Sequence, residues 1–92
     1  MSITSAGNTY NPALVILDEK GYSLRVELGH DYTIWCAEKD GHHFSGSNPL
    51  ELLAVASIFE RFGDSWQDAI RNPDLLEAVF DAAELPDDDP NQ

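Results

Sequence analysis

The sequence predicts an α+β domain in which a three-stranded antiparallel sheet carries helices on one face, in the order α-β-β-β-α-α. Three observations carry that expectation. Residues 22–28 alternate, with Tyr22, Leu24, Val26 and Leu28 on one side and Ser23, Arg25 and Glu27 on the other, as a half-buried strand requires. Lys39-Asp40-Gly41 supplies a tight reversal between two β-rich runs. Residues 49–62 then switch to a helical period, with Leu50, Leu53, Val55, Ala56, Ile58, Phe59 and Phe62 largely on one broad face. The chain of 92 residues has room for one such domain, and its 42% hydrophobic content argues against wholesale disorder.

Residues 1–11 mix Ser, Thr, Gly and Asn without apolar periodicity and read as a flexible lead segment, ahead of a single domain over 12–85. Three Asn-Pro pairs follow, at Asn11-Pro12, Asn48-Pro49 and Asn72-Pro73. Asn accepts an orphan backbone amide as an N-cap, and Pro fits the first helical position, so each pair is expected to open a helix. The first would run over 12–20 and stop at Gly21, although the run Leu14 to Leu17 also suits a strand closing through a hairpin. After the strand at 22–28, a turn at 29–31 leads into a β-rich run over 32–38, and the reversal at Asp40-Gly41 leads into a third strand at 42–45. In the helix over 49–62, Glu51 lies in the first turn and Arg61 in the last, matching the helix dipole, and Gly63 can cap its end. A short segment at 65–71 carries Trp66 and Ile70 four apart. The last helix is expected over 73–85, burying Leu76, Val79, Phe80 and Ala83, with Pro86 as its stop and 86–92 as an acidic tail.

Seventeen acids face five bases, Lys20, Arg25, Lys39, Arg61 and Arg71, for a formal charge of -12. Such a field repels phosphates, which disfavours direct binding of nucleic acid or an anionic membrane. The lone Cys36 fits a reducing cytoplasm better than a secreted disulfide framework. No basic stretch followed by an apolar run opens the chain, and no apolar stretch approaches the ~18 residues of a membrane span, so neither a signal peptide nor a membrane association is expected.

The residue types for metal or nucleophilic chemistry are present in poor arrangements. His30, Cys36, His42 and His43 include zinc-ligand types, yet adjacent His42 and His43 point to opposite faces of a strand and no paired ligand motif accompanies them. Surface turn and strand histidines are the simpler reading, and no metal or cofactor is expected. Asp87, Asp88 and Asp89 lack the loop glycine and downstream ligand of a calcium-binding hand. His42 or His43 could approach Cys36 across a hairpin, but no nucleophile signature supports that pairing, and Cys36 shares a strand face with Tyr32 and Ile34 as a small packed residue would. No enzymatic activity is expected.

The acidic pattern is the more informative signal. Asp74, Glu77, Asp81 and Glu84, spaced three, four and three apart, form one ridge of the last helix away from its apolar face. A solvated amphipathic face would look the same, but residues 60–92 together hold ten acids against Arg61 and Arg71. A field this one-sided favours a basic protein partner. Trp35 lies on the face opposite Tyr32, Ile34 and Cys36, so helices on one side of the sheet leave one set uncovered unless a second subunit closes it. Trp35, Asp74, Glu77, Asp81 and Glu84 are therefore the candidate partner-binding residues, and a homodimer is a further expectation.

The pattern Gly21-Tyr22, Trp35 and Ala37, Asp40-Gly41, Phe44, Pro49-Leu50-Glu51-Leu52-Leu53 and Gly63-Asp64 with Trp66 resembles a group of short bacterial proteins of uncharacterised function, over residues 21–67. That resemblance implies a fold outline without an activity. In size, acidity and lack of a catalytic motif the chain also resembles bacterial immunity proteins, which neutralise cognate toxins stoichiometrically. These likenesses and the charge favour a non-catalytic module that occludes a basic toxin or nuclease. The alternative is a homodimeric accessory or regulatory domain with a solubilising acidic exterior, and an enzyme built on Cys36 and the histidines stands third.

Overall fold

The computed structural model describes residues 1–3, 7–70 and 74–83. A 3₁₀ turn over Gly7–Thr9 leads into α1 (Tyr10–Glu19), followed by β1 (Ser23–Leu28), β2 (Thr33–Lys39), β3 (His42–Gly46), α2 (Pro49–Phe62), a 3₁₀ segment over Gly63–Ala69 and α3 (Leu75–Asp81). The strands form one antiparallel sheet in the order β1-β2-β3, so the protein has the α+β architecture and element order that its sequence predicts.

Local chemistry accounts for most boundaries. At the end of α1 the amide of Gly21 donates to the carbonyl of Asp18 at 3.0 Å, and that of Tyr22 to Leu17 at 3.1 Å. With Gly21 at φ 95°, this is the double-bonded helix stop that glycine makes without steric cost, and it seats Tyr22 against Leu17 in the core. Asp40 and Gly41 both take positive φ, the two-residue turn whose twist matches the flanking strands. Asn48 caps α2 by accepting from the Glu51 amide at 2.9 Å, Pro49 occupies the first turn, and the Glu51 carboxylate accepts from the Ser47 amide at 3.1 Å.

The Asn-Pro rule fails at the first pair. Asn11 and Pro12 lie inside α1, which begins at Tyr10, because a proline in the first helical turn removes an amide that has no intrahelical partner anyway. The helical body therefore starts ahead of residue 12. The third pair, Asn72-Pro73, lies outside the described residues, as do Glu84 and the tail at 86–92. Asp74 is the N-cap of α3, accepting from the Glu77 amide at 3.1 Å.

α1 and α2 pack against each other and onto one face of the sheet. The core comprises Leu17, Tyr22, Ala37, Leu52 and Ala56, with Leu24, Trp35, Phe44 and Leu53 packed around it. α2 buries Pro49, Leu52 and Ala56, whereas Val55, Ile58 and Phe62 remain exposed: the apolar residues of this helix occupy two sides, and the sheet covers one. α3 corrects the sequence reading further. Leu76, Val79, Phe80 and Ala83 are exposed rather than buried.

Candidate functional site

The register sorts the sheet residues by face. Leu24 pairs with Ala37, and Ala37 with Phe44, which places these residues and Trp35 under the helices. Trp35 is half-buried there, packed against the core that includes Ala37, so of the two sets that the sequence left open it is the one with Tyr32, Ile34 and Cys36 that the helices do not cover, with Tyr32 exposed. The opposite face is largely polar. Arg25 pairs across to Cys36 and Cys36 to Ser45, with Glu38 opposite His43. The Arg25 guanidinium meets the Glu27 carboxylate at 2.9 Å and lies 3.3 Å from Nε2 of His43. Cys36 is buried beneath this array, and its thiol donates to Glu27 Oε2 at 3.8 Å rather than to a histidine. Such surroundings hold a small packed thiol whose hydrogen-bond partner is a carboxylate.

One end of the sheet gathers both lysines. Gly21 at the close of α1 and the Asp40-Gly41 turn bring Lys20 and Lys39 to the same edge, where Lys39 Nζ donates to the Lys20 carbonyl at 2.6 Å. Glu60 of α2 reaches over to accept from Lys20 Nζ and from the Tyr22 hydroxyl, each at 2.8 Å. The His42 ring lies 4.4 Å from the Phe59 ring, centroid to centroid, at a tilt of 46°, and these groups line an open cleft of ≈ 540 Å³ together with Phe44 and Gly63. Burial, then the bond to Glu60, pushes the Tyr22 hydroxyl up to about 12. The bonds from Lys20 and Tyr22 hold the Glu60 carboxyl below its ordinary value. Both shifts move away from neutrality, the reverse of what a proton-transfer pair needs. The cleft is a structural clamp that ties the α1–β1 corner to α2.

On the other side of Phe44 and Phe59 lies an apolar groove of ≈ 410 Å³, lined by His43, Phe44, Val55, Ile58, Phe59 and Trp66. β3 forms its edge and is the free edge of the sheet there, with no acid, lysine or proline over His42–Gly46 to guard it. Ile58 and Trp66 are 47% and 42% exposed in this groove. Sequence reasoning misses it because helical spacing places Val55 and Ile58 on the same broad face as the core residues of α2, and Trp66 at a helix junction. The signal that could have found it is the excess of apolar residues on α2, too many for one side of a 14-residue helix to bury.

α3 presents a second apolar surface. Leu75, Leu76, Val79 and Phe80 are 63–83% exposed, and Asp74, Glu77 and Asp81 lie on the opposite ridge. The structure thus brings three of the four ridge residues together as the spacing requires, but engages Asp74 in capping; Glu84 lies outside the described residues. Among the described residues no three His, Cys, Asp or Glu side chains gather in a way that could hold a metal, and no helix is long and apolar enough to cross a membrane. Set against protein-family models, curated proteins and solved structures, the chain matches none.

Proposed function

We propose that this protein is a non-catalytic protein-binding module whose partner is a basic protein, and that it acts by stoichiometric occlusion in the manner of an immunity protein, in the cytoplasm. The observation that carries the reading is α3: an amphipathic helix that sets Glu77 and Asp81 on one side and an exposed apolar stripe on the other. The formal charge of -12 supplies the long-range field that would steer a cationic surface to that helix, and the same field disfavours nucleic acid and anionic membranes. The shifts of Tyr22 and Glu60 away from neutrality, and the burial of Cys36 beside Glu27, favour binding over catalysis.

The test uses the full chain as bait in extract of its native cell, with wild type beside a Glu77→Gln, Asp81→Asn variant. Asp74 is left intact because it caps the helix. The reading predicts a captured protein of basic isoelectric point in 1:1 ratio, and an on-rate for the purified pair that falls several-fold in the variant and in high salt, since exposed charges act over a Debye length of ~8 Å at physiological ionic strength. The helix itself should gain slightly, by ~0.2–0.5 kcal/mol, as like charges four apart are removed. A salt-independent on-rate unchanged by the variant would remove the acidic ridge from the binding mechanism.

A further inference from the structure

β3 is an edge strand whose outward backbone has no partner among the described residues. The two-residue turn at Asp40-Gly41 makes Lys39 and His42 a hydrogen-bonded pair, so bonded and non-bonded pairs alternate along the hairpin from there. His43 and Ser45, opposite Glu38 and Cys36, fall at the non-bonded positions, and their N–H and C=O groups point away from β2. Both residues are exposed, and among the described residues neither backbone finds a partner elsewhere. The other edge of the sheet differs: β1 carries the Arg25 and Glu27 pair, the kind of charge that blunts an edge, whereas His42–Gly46 has no such guard. Backbone donors and acceptors set in a row toward solvent are the template onto which an extended segment adds as a fourth strand.

Register fixes which side chains such a segment needs. Its residue opposite Phe44 lies on the same face as Phe44 and enters the apolar groove beside Val55, Ile58 and Trp66. The residues on either side of it, opposite His43 and Ser45, exchange backbone bonds with them and project to the outer face of the sheet. On that face Glu38 is the strand neighbour of His43 and forms no ion pair among the described residues, since Arg25 is engaged by Glu27. α2 and the 3₁₀ segment, which wall the groove, hold Glu51, Glu60, Asp64 and Asp68 against Arg61. An apolar residue between two cations therefore complements both the groove and the acids around it. We infer that the β3 edge accepts an extended segment of a basic protein by strand addition, with one apolar side chain in the groove and a Lys or Arg on each side of it over the outer face. The inference rests on the preceding reading for the basic character of the partner alone, and it uses no residue of α3.

NMR titration of the full chain with the peptide Thr-Lys-Thr-Lys-Ile-Lys-Thr-Lys tests the inference, beside the same peptide N-methylated at the two lysines that flank Ile. Side chains and charge are equal in the two, and only the backbone donors aimed at the carbonyls of His43 and Ser45 differ. The expected result is saturable 1:1 binding that shifts the His43 and Ser45 amide signals and the Trp66 indole signal, weakened at least about tenfold by N-methylation. Ile58→Asp should weaken the parent peptide by a similar factor with the far-UV spectrum unchanged, since Ile58 lies outside the core. Replacing the lysines of the peptide by glutamates should abolish binding. Equal binding of the parent and N-methylated peptides, or shifts confined to α3, would reduce the interaction to charge attraction and overturn strand addition. Slow hydrogen exchange of the His43 and Ser45 amides in the free protein would overturn it too, because the edge would then be covered already, by a second copy if sedimentation shows a dimer and by the chain itself if it shows a monomer. The Glu77→Gln, Asp81→Asn variant should bind the parent peptide as the wild type does, so this inference and the acidic-ridge reading fail separately.

Discussion

Tyr22 shows how much one position can hold together. Its amide closes α1, its ring packs beside Leu17 and edge-on to Phe44 at 6.1 Å, Lys39 Nζ sits 5.4 Å from its centroid, and its hydroxyl donates to Glu60. The raised hydroxyl carries a linkage consequence. A group whose pKa is higher in the folded state than in the unfolded chain contributes stability that is fully present below the unfolded value, near 10, and lost as pH climbs through the folded value, about 12. Absorbance titration should therefore show a tyrosinate step near pH 12 that vanishes in Tyr22→Phe, accompanied in the wild type by falling stability over that window. Glu60 works with the opposite sign: its lowered carboxyl supports the fold above the ordinary carboxylate value and ceases to do so as pH falls through the folded one. Tyr22→Phe should cost about 1 kcal/mol at pH 7 by urea unfolding, since Glu60 keeps Lys20 as a partner. A titration step that persists near pH 12 in the variant would assign it to another group.

At the scale of elements, the junction between β3 and α2 depends on a close approach of backbone. A side-chain carbon at Gly46 would lie 2.8 Å from the backbone nitrogen of Leu52 and 3.1 Å from Glu51, and neither is a flexible side-chain end that could swing away. The first turn of α2 can approach β3 because this residue has no side chain, and the capping set of Asn48 and Glu51 holds it there. Gly46→Ala should therefore destabilise by about 1–3 kcal/mol through overpacking, measured as a lower denaturation midpoint with unchanged slope. Gly41→Ala, where no atom lies within 4 Å, tests the alternative cause, because any loss there comes from its positive φ alone. Equal losses at both sites would refute the packing account of Gly46.

Across the whole molecule, charge outweighs every local contact in reach. At a formal -12, seventeen acids outnumber five bases, so most acids have no base to pair with, and the ion pairs among the described residues are Lys20 to Glu60 and Arg25 to Glu27. Self-repulsion of this kind opposes the compact state and is screened as the Debye length shrinks. Raising the NaCl concentration from about 10 mM to about 0.5 M should raise the melting temperature by a few degrees, the shift that about 0.5–1 kcal/mol produces in a domain of this size. A lower melting temperature in salt would mean that exposed ion pairs such as Lys20–Glu60 and Arg25–Glu27 outweigh the repulsion, contrary to the small worth of such pairs.

The sequence by itself determined what nearest neighbours along the chain decide. The stop at Gly21, the reversal at Asp40-Gly41, the Asn48-Pro49 opening of α2 and its end at Gly63 are all local balances between backbone geometry and side-chain chemistry, and each is legible within four residues. The acidic ridge of α3 is legible for the same reason, since helical spacing alone places Glu77 and Asp81 on one side. Tertiary structure decided which apolar residues the body buries. Leu52 rather than Val55 or Ile58 faces the sheet and Trp35 is half-buried beneath the helices, because α1 and α2 pack over Leu24, Ala37 and Phe44, whereas Val26 and Leu28 on the same face, and Leu76 and Phe80 of α3, stay exposed. The clamp of Lys20, Tyr22 and Glu60 was equally hidden: Glu60 is 40 residues from Lys20 and 38 from Tyr22, and only the fold of the chain back onto itself sets its carboxylate 2.8 Å from both.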